Sequence, residues 1–189
     1  GNNMHRYFTT AIPYVNAKPH IGHALEYIQA DILARYYRLY GDTVRWQWGT
    51  DDNSLKNVRA AQAAGEDTEI FVARCAEAFA ALGPLLNLTF DGFMRTRDEK
   101  HIRGAQKFWS MFKADDVYQK SYSGLYCVGC EMFYTPDEAP DGLCQIHKKG
   151  LEQVSETNYF FRLSSYQKQL EDLIVSDRLH VGPETRKNE

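Results

Sequence analysis

Tyr7-Phe8-Thr9-Thr10 opens the chain as a short β-prone run, and after a proline-bearing loop Leu25, Ile28, Ile32, Tyr36 and Leu39 recur at helical spacing. The pattern predicts an amphipathic helix from Ala24, stopped at Gly41. Val44 to Trp48 alternates, with Val44, Trp46 and Trp48 on one face, and reads as a second strand. Strand, helix and strand in succession make a βαβ crossover, the entry to a parallel sheet. Ligands of such sheets bind outside the carboxyl ends of the strands, which singles out two stretches, Ala11 to His23 and Gly49 to Ser54.

Farther along, Leu55, Val58 and Ala61 begin a second helical pattern, with Asp52 or Asn53 read as its cap. Phe71, Cys75, Phe79 and Leu82 mark a third helix, ended by Gly83-Pro84, and place Cys75 on the apolar stripe as a buried small residue. Phe90 to Arg95 reads as a short strand, and Ile102, Ala105, Trp109 and Phe112 as one more core-facing helix; His101 beside it reads as a surface or satisfied histidine. Beyond Asp115 the composition shifts toward Tyr, Ser, Gly and Cys, with β-like runs at Val117 to Tyr126 and Asn158 to Arg162. Leu163, Tyr166, Leu170 and Leu173 suggest a last helix, with Ser164 as its cap. The expected class is α/β, with one domain over residues 4–114 and a second over 115–189. Gly1-Asn2-Asn3 before Met4 reads as an expression scar.

With 189 residues, 43% of them hydrophobic and 25% charged, the chain has the composition of an ordinary soluble globular protein of one large or two small domains. A formal net charge of −3 gives no global attraction to nucleic acid, so any RNA contact must come from a local patch or a part not present. No apolar run approaches the length of a membrane span and nothing resembles a signal peptide, so a cytoplasmic protein without a membrane partner is expected.

The first candidate chemistry lies at His20-Ile21-Gly22-His23, between a strand and a helix. A helix start presents unpaired N–H groups and a partial positive charge, which attract phosphate. His20 and His23 add donors there, and Gly22, lacking a Cβ, lets a phosphate or a flat ring approach the backbone. This reads as a polyphosphate site, with ATP the foremost ligand; the plainer alternative is a pair of capping or surface histidines. In the second stretch, Asp51 at a strand's end is a candidate to hold an ammonium or a hydroxyl.

The second candidate is a metal site. Cys127-Val-Gly-Cys130, thirteen intervening residues and Cys144-Gln-Ile-His147 give two short ligand pairs of the kind that closes a tetrahedral zinc site. Three of the four cysteines sit near His147, which argues for metal in a reducing compartment over disulfides. Four protein ligands leave no open position, so a zinc ion here is structural, and it can contribute on the order of 10 kcal/mol to folding a small module. Glu131, Asp137, Glu138 and Asp141 lie between the ligand pairs, which speaks against a ribbon that binds nucleic acid itself.

Taken together, Ala11-Ile12-Pro13-Tyr14-Val15-Asn16, Pro19-His20-Ile21-Gly22-His23, Gly49-Thr50-Asp51, the Cys3His knuckle and Asn158-Tyr159-Phe160-Phe161-Arg162 resemble the methionyl-tRNA synthetase family from about Tyr7 to the end. The resemblance implies the first half of a Rossmann-type parallel-sheet domain, followed by a small insertion domain with a zinc knuckle. It implies activation of methionine with MgATP to methionyl-adenylate and transfer to tRNA. It assigns His20 and His23 to the phosphates, Gly22 to the adenine, Ala11, Ile12 and Tyr14 to one wall of the methionine pocket, and Asp51 to the substrate ammonium. Three features depart from the family pattern: Asp51-Asp52-Asn53-Ser54 stands where Asp-Glu-His-Gly is common, Trp48 is bulky directly before Gly49, and no Lys-Met-Ser-Lys-Ser-like loop occurs. A fragment with little or no aminoacylation activity of its own is therefore expected. The alternatives are a non-catalytic, zinc-stabilised nucleotide- or RNA-binding module and another class I synthetase or nucleotidylyltransferase relative.

Overall fold

The computed structural model describes residues 3–188 and divides between Lys107 and Phe108 into two compact units. Gly1 and Asn2, two of the three residues read as a scar, lie outside the described residues. In the first unit β1 (His5–Thr9), β2 (Thr43–Thr50) and β3 (Gly92–Arg95) form a parallel sheet in the order β1-β2-β3. Between them run α1 (Ile21–Leu39), α2 (Leu55–Ala64), α3 (Thr68–Ala80) and the short α4 (Leu82–Leu85).

The expected strand, helix and strand are present, and the alternation in β2 does what it predicts. Phe8 pairs with Trp46, and Trp48 with Phe93, so β2's large side chains share a face with apolar neighbours on both sides. Val44, Trp46 and Trp48 are buried there. Tyr27 of α1 meets Trp48 edge-on at 4.5 Å, and Phe90 meets it at 5.2 Å. Val72, Cys75, Ala76 and Phe79 of α3 complete the core. Gly49 follows for a backbone reason: a Cβ at that position would sit 1.8 Å from the carbonyl oxygen of Met94 on β3.

Several expectations are corrected in detail. α1 begins at Ile21, three residues before Ala24, because His20 and His23 cap it. The residues whose spacing announces α1 are not those it buries: Leu25 is 58% exposed, Ile32 59% and Leu39 86%, whereas Tyr27, Asp31 and Ala34 face the core. Neither Asp52 nor Asn53 caps α2; Ser54 does, accepting from the Lys56 amide at 3.1 Å. Gly83-Pro84 lies inside α4, and Gly83 is specified by the Phe90 ring, 2.7 Å from where its Cβ would be. α5 (Glu99–Ser110), expected to face a core, buries none of its residues.

In the second unit β4 (Val117–Cys127) is flanked by β5 (Met132–Tyr134) and β6 (Glu152–Phe161) in an antiparallel sheet ordered β5-β4-β6. β5 was not legible in the sequence, and β6 starts six residues before the predicted Asn158. A turn at Leu163–Tyr166 leads into α6 (Gln167–Val175), without a side-chain cap from Ser164. Tyr166 Oη instead donates to Asp116 Oδ2 at 2.8 Å, and the Phe112 and Phe161 rings pack at 5.3 Å.

Asp31 is the polar residue on the buried face of α1, and its carboxylate is fully engaged. Oδ1 accepts from the Thr89 amide and hydroxyl, and Oδ2 from Arg35 Nε at 2.7 Å. Burial alone would raise its pKa, but these bonds outweigh it and the pKa is lowered. Replacing Asp31 by Ala leaves the Thr89 donors without their acceptor and is expected to cost about 2 kcal/mol at neutral pH. A depressed carboxylate contributes stability above its unfolded pKa and loses it as pH falls through the folded one. In urea unfolding the gap between wild type and Asp31→Ala should therefore close as the pH drops below the ordinary carboxylate value of 3.8.

Candidate nucleotide site and metal centre

The loop leaving β1 returns to the sheet: Tyr14 and Asp51 form an isolated parallel bridge, and the Asp51 amide donates to the Pro13 carbonyl at 2.8 Å. Both stretches singled out by topology are thus adjacent beyond the strand ends. Glu26 of α1 pins the start of the loop by accepting from the Ala11 amide at 2.8 Å. The Asn57 side-chain amide donates to the Asp51 carbonyl, and the Asn53 amide to Asp51 Oδ1. Asp52, beside it, is buried and structural: it accepts from the Thr50 hydroxyl and from Arg95 Nε, both at 2.7 Å, while its amide donates to Thr96 Oγ1.

His20 is the N-cap of α1 and His23 its third residue. The Gly22 amide donates to His20 Nδ1 and the His20 amide to His23 Nδ1, each at 3.1 Å, a reciprocal capping box built from two imidazoles. A ring nitrogen that accepts carries no proton, so in the neutral rings the proton is on Nε2, leaving an N–H on each as a donor. The rings stack 3.8 Å apart, and His23 meets Phe79 edge-on at 4.9 Å. Burial, then the neighbouring His20 ring, push the His23 pKa below 6.5, against the pull of Glu26. Gly22 is held to glycine by the cap, since a Cβ would come 2.9 Å from the His20 ring.

His20, His23 and Tyr14 line a cleft of about 260 Å³ together with Pro13, Lys18 and Phe79. Lys56 Nζ lies 4.4 Å from the centre of the Tyr14 ring. Ile12 faces a different cleft of about 160 Å³, with Thr10, Trp48, Met94, Thr96 and His101. The single wall expected from Ala11, Ile12 and Tyr14 is therefore divided: Tyr14 goes with the histidines, Ile12 with the sheet's end. His101 Nδ1 lies 3.1 Å from the Thr96 carbonyl, in keeping with a satisfied histidine. Lys18 and Glu26 carry no motif and were not singled out in the sequence; Lys18 lies two residues before His20, and Glu26 three after His23.

In the second unit Cys127, Cys130, Cys144 and His147 converge, their ligand atoms all within 4.8 Å of one another. The Cys130 amide donates to Cys127 Sγ and the His147 amide to Cys144 Sγ, both at 3.3 Å, the geometry of two metal-binding knuckles. His147 presents Nδ1, 3.2 Å from Cys130 Sγ. Gly129 is required because the His147 ring lies 2.9 Å from where its Cβ would be. Burial opposes ionisation of Cys144, but bonds from the His147 amide and other neighbours hold its thiol at about 5. Three soft sulfurs and an imidazole at this separation fit a tetrahedral ion such as zinc.

Residues 6–150 match the family model described as tRNA synthetases class I (M). The chain belongs to this family. It is 42% identical over 191 residues to methionine--tRNA ligase of Thermotoga maritima, covering 98% of this chain and 30% of that protein. It is 41% identical to the Mycobacterium bovis ligase, covering 97% of this chain and 36% of the relative. Among solved structures it is similar to Mycobacterium tuberculosis methionyl-tRNA synthetase in complex with methionyl-adenylate, at 39% identity and a TM-score of 0.91, covering 98% of this chain and 37% of the other. The chain thus spans about a third of the length of these class I synthetases.

A lowered histidine pKa favours the folded state above 6.5 and ceases to do so as pH falls through the folded value. The first unit should therefore lose stability as the pH falls below 6.5, with His23→Ala removing that part of the slope. A His23 ring-proton titration with its midpoint at or above 6.5 contradicts the assignment.

Proposed function

We propose that this chain is the amino-terminal part of a methionine--tRNA ligase that activates methionine with ATP and passes it to tRNA. The observation that carries the reading is the imidazole capping box at the start of α1, beyond the carboxyl end of β1, in a chain of this family. In that reading the Nε2–H groups of His20 and His23 donate to the ATP phosphates as the methionine carboxylate attacks the α-phosphorus. Stacked neutral rings cannot supply much positive charge, so the field comes from the α1 N-terminus, Lys18 and the Mg²⁺ that accompanies ATP. The adenine lies near Gly22, whose missing Cβ leaves room for the His20 ring. Of the expected wall, Ile12, which lines the cleft at the sheet's end with Trp48 and Met94, offers apolar contact to the thioether, and the Asp51 carboxylate accepts from the ammonium.

Acceleration requires that the histidine bonds strengthen as charge builds on the phosphates, and rings already fixed by their caps need little reorganisation to provide this. Zinc at Cys127, Cys130, Cys144 and His147 is structural in this reading. Thiolate ligands suit the reducing cytoplasm, where tRNA and ATP are available, and among the described residues no helix is long and apolar enough to cross a membrane.

The test is binding of a non-hydrolysable methionyl-adenylate analogue by calorimetry. His20→Ala and His23→Ala should each weaken it by about tenfold, the value of one charge-assisted hydrogen bond. Undiminished binding in both variants removes the histidines from the site. Methionine-dependent pyrophosphate exchange by this chain alone is expected at a small fraction of the rate of the full-length Thermotoga maritima relative; a matching rate would contradict the reading of a partial enzyme.

A further inference from the structure

We infer that Tyr134 is a positioning residue of the metal centre, supplying through its phenol the hydrogen bond that the knuckle backbone gives to the other thiolates. The inference rests on the zinc reading above. Cys127 and Cys144 each receive a backbone amide from their own knuckle. The donor facing Cys130 is instead Tyr134 Oη, 3.4 Å from its Sγ and 3.6 Å from Cys144 Sγ.

The placement follows from the sheet. Cys127 pairs with Met132 and Leu125 with Tyr134, so Tyr134 projects from the same face of the β4–β5 ribbon as Cys127, one diagonal step away. A Tyr at this point reaches over the ligands without entering the backbone loops. Three thiolates on a divalent ion leave a net negative charge, and a donor to sulfur disperses it. The phenol is the side-chain O–H that does so here; it remains protonated and takes no place in the coordination shell.

Tyr134→Phe keeps the ring and deletes only the donor. Zinc affinity, read by competition with a chromophoric chelator, should fall by about tenfold, the lower end of outer-shell effects. In the cobalt-substituted protein the thiolate-to-metal charge-transfer band should move to longer wavelength, a change that lost packing alone would not produce. Tyr122→Phe, which alters a ring packed 4.6 Å from Phe133 in the same sheet, serves as the control and should leave both readouts unchanged. Unchanged affinity and spectrum in Tyr134→Phe overturn the inference while leaving the zinc reading intact, and equal weakening in both variants overturns it in favour of sheet packing. A wild-type chain that binds no zinc overturns both.

Discussion

The buried aromatic face of β2 is the constraint on which the first unit depends. Trp46 and Trp48 fill the space between the sheet and its helices, and Tyr27, Phe90 and Phe93 close around them edge-on. Side chains of that size fix how far α1 stands from the strand and leave little freedom to slide. α3 carries the same packing outward through Phe79, whose ring meets His23. The N-terminal end of α1 is thus set by the core, and its imidazoles are presented by the fold instead of by a free loop.

The centre of the first unit was legible in the sequence because its signals are local. Alternation in Val44, Trp46 and Trp48 reports a half-buried strand directly, and Gly41, with its positive φ, punctuates α1 by its own chemistry. Where burial depends on distant partners, pattern misleads. Leu25, Ile32 and Leu39 form the more conspicuous stripe on α1, yet a polar residue, Asp31, is drawn inward, because Thr89, far along the chain, and Arg35, one turn on, satisfy its carboxylate. Asp52 reads as a cap in the sequence for the same reason: its partners Arg95 and Thr96 lie more than forty residues away.

The Cys3His cluster was legible for a different cause. Ligand spacing is a covalent property of the chain, so Cys127, Cys130, Cys144 and His147 declare themselves without any knowledge of packing. β5 did not, since three residues carry no period, and the role of Tyr134 depends on a register that only the folded ribbon sets. Among the candidate substrate contacts, Tyr14 and Asp51 were brought together by the bridge between the loop and β2, whereas Ile12 was turned to another cleft. The loop residues alternate in direction, and no sequence rule for a proline-rich turn gives that alternation.

The reciprocal cap at His20 and His23 has a bearing on how related sequences are compared. The same two rings that would meet a nucleotide also close the first turn of α1, so natural selection acting on folding alone has reason to retain them. A descendant that had abandoned catalysis would still be penalised for losing either one. Survival of this histidine pair in a divergent protein is accordingly poor testimony that the protein still performs chemistry.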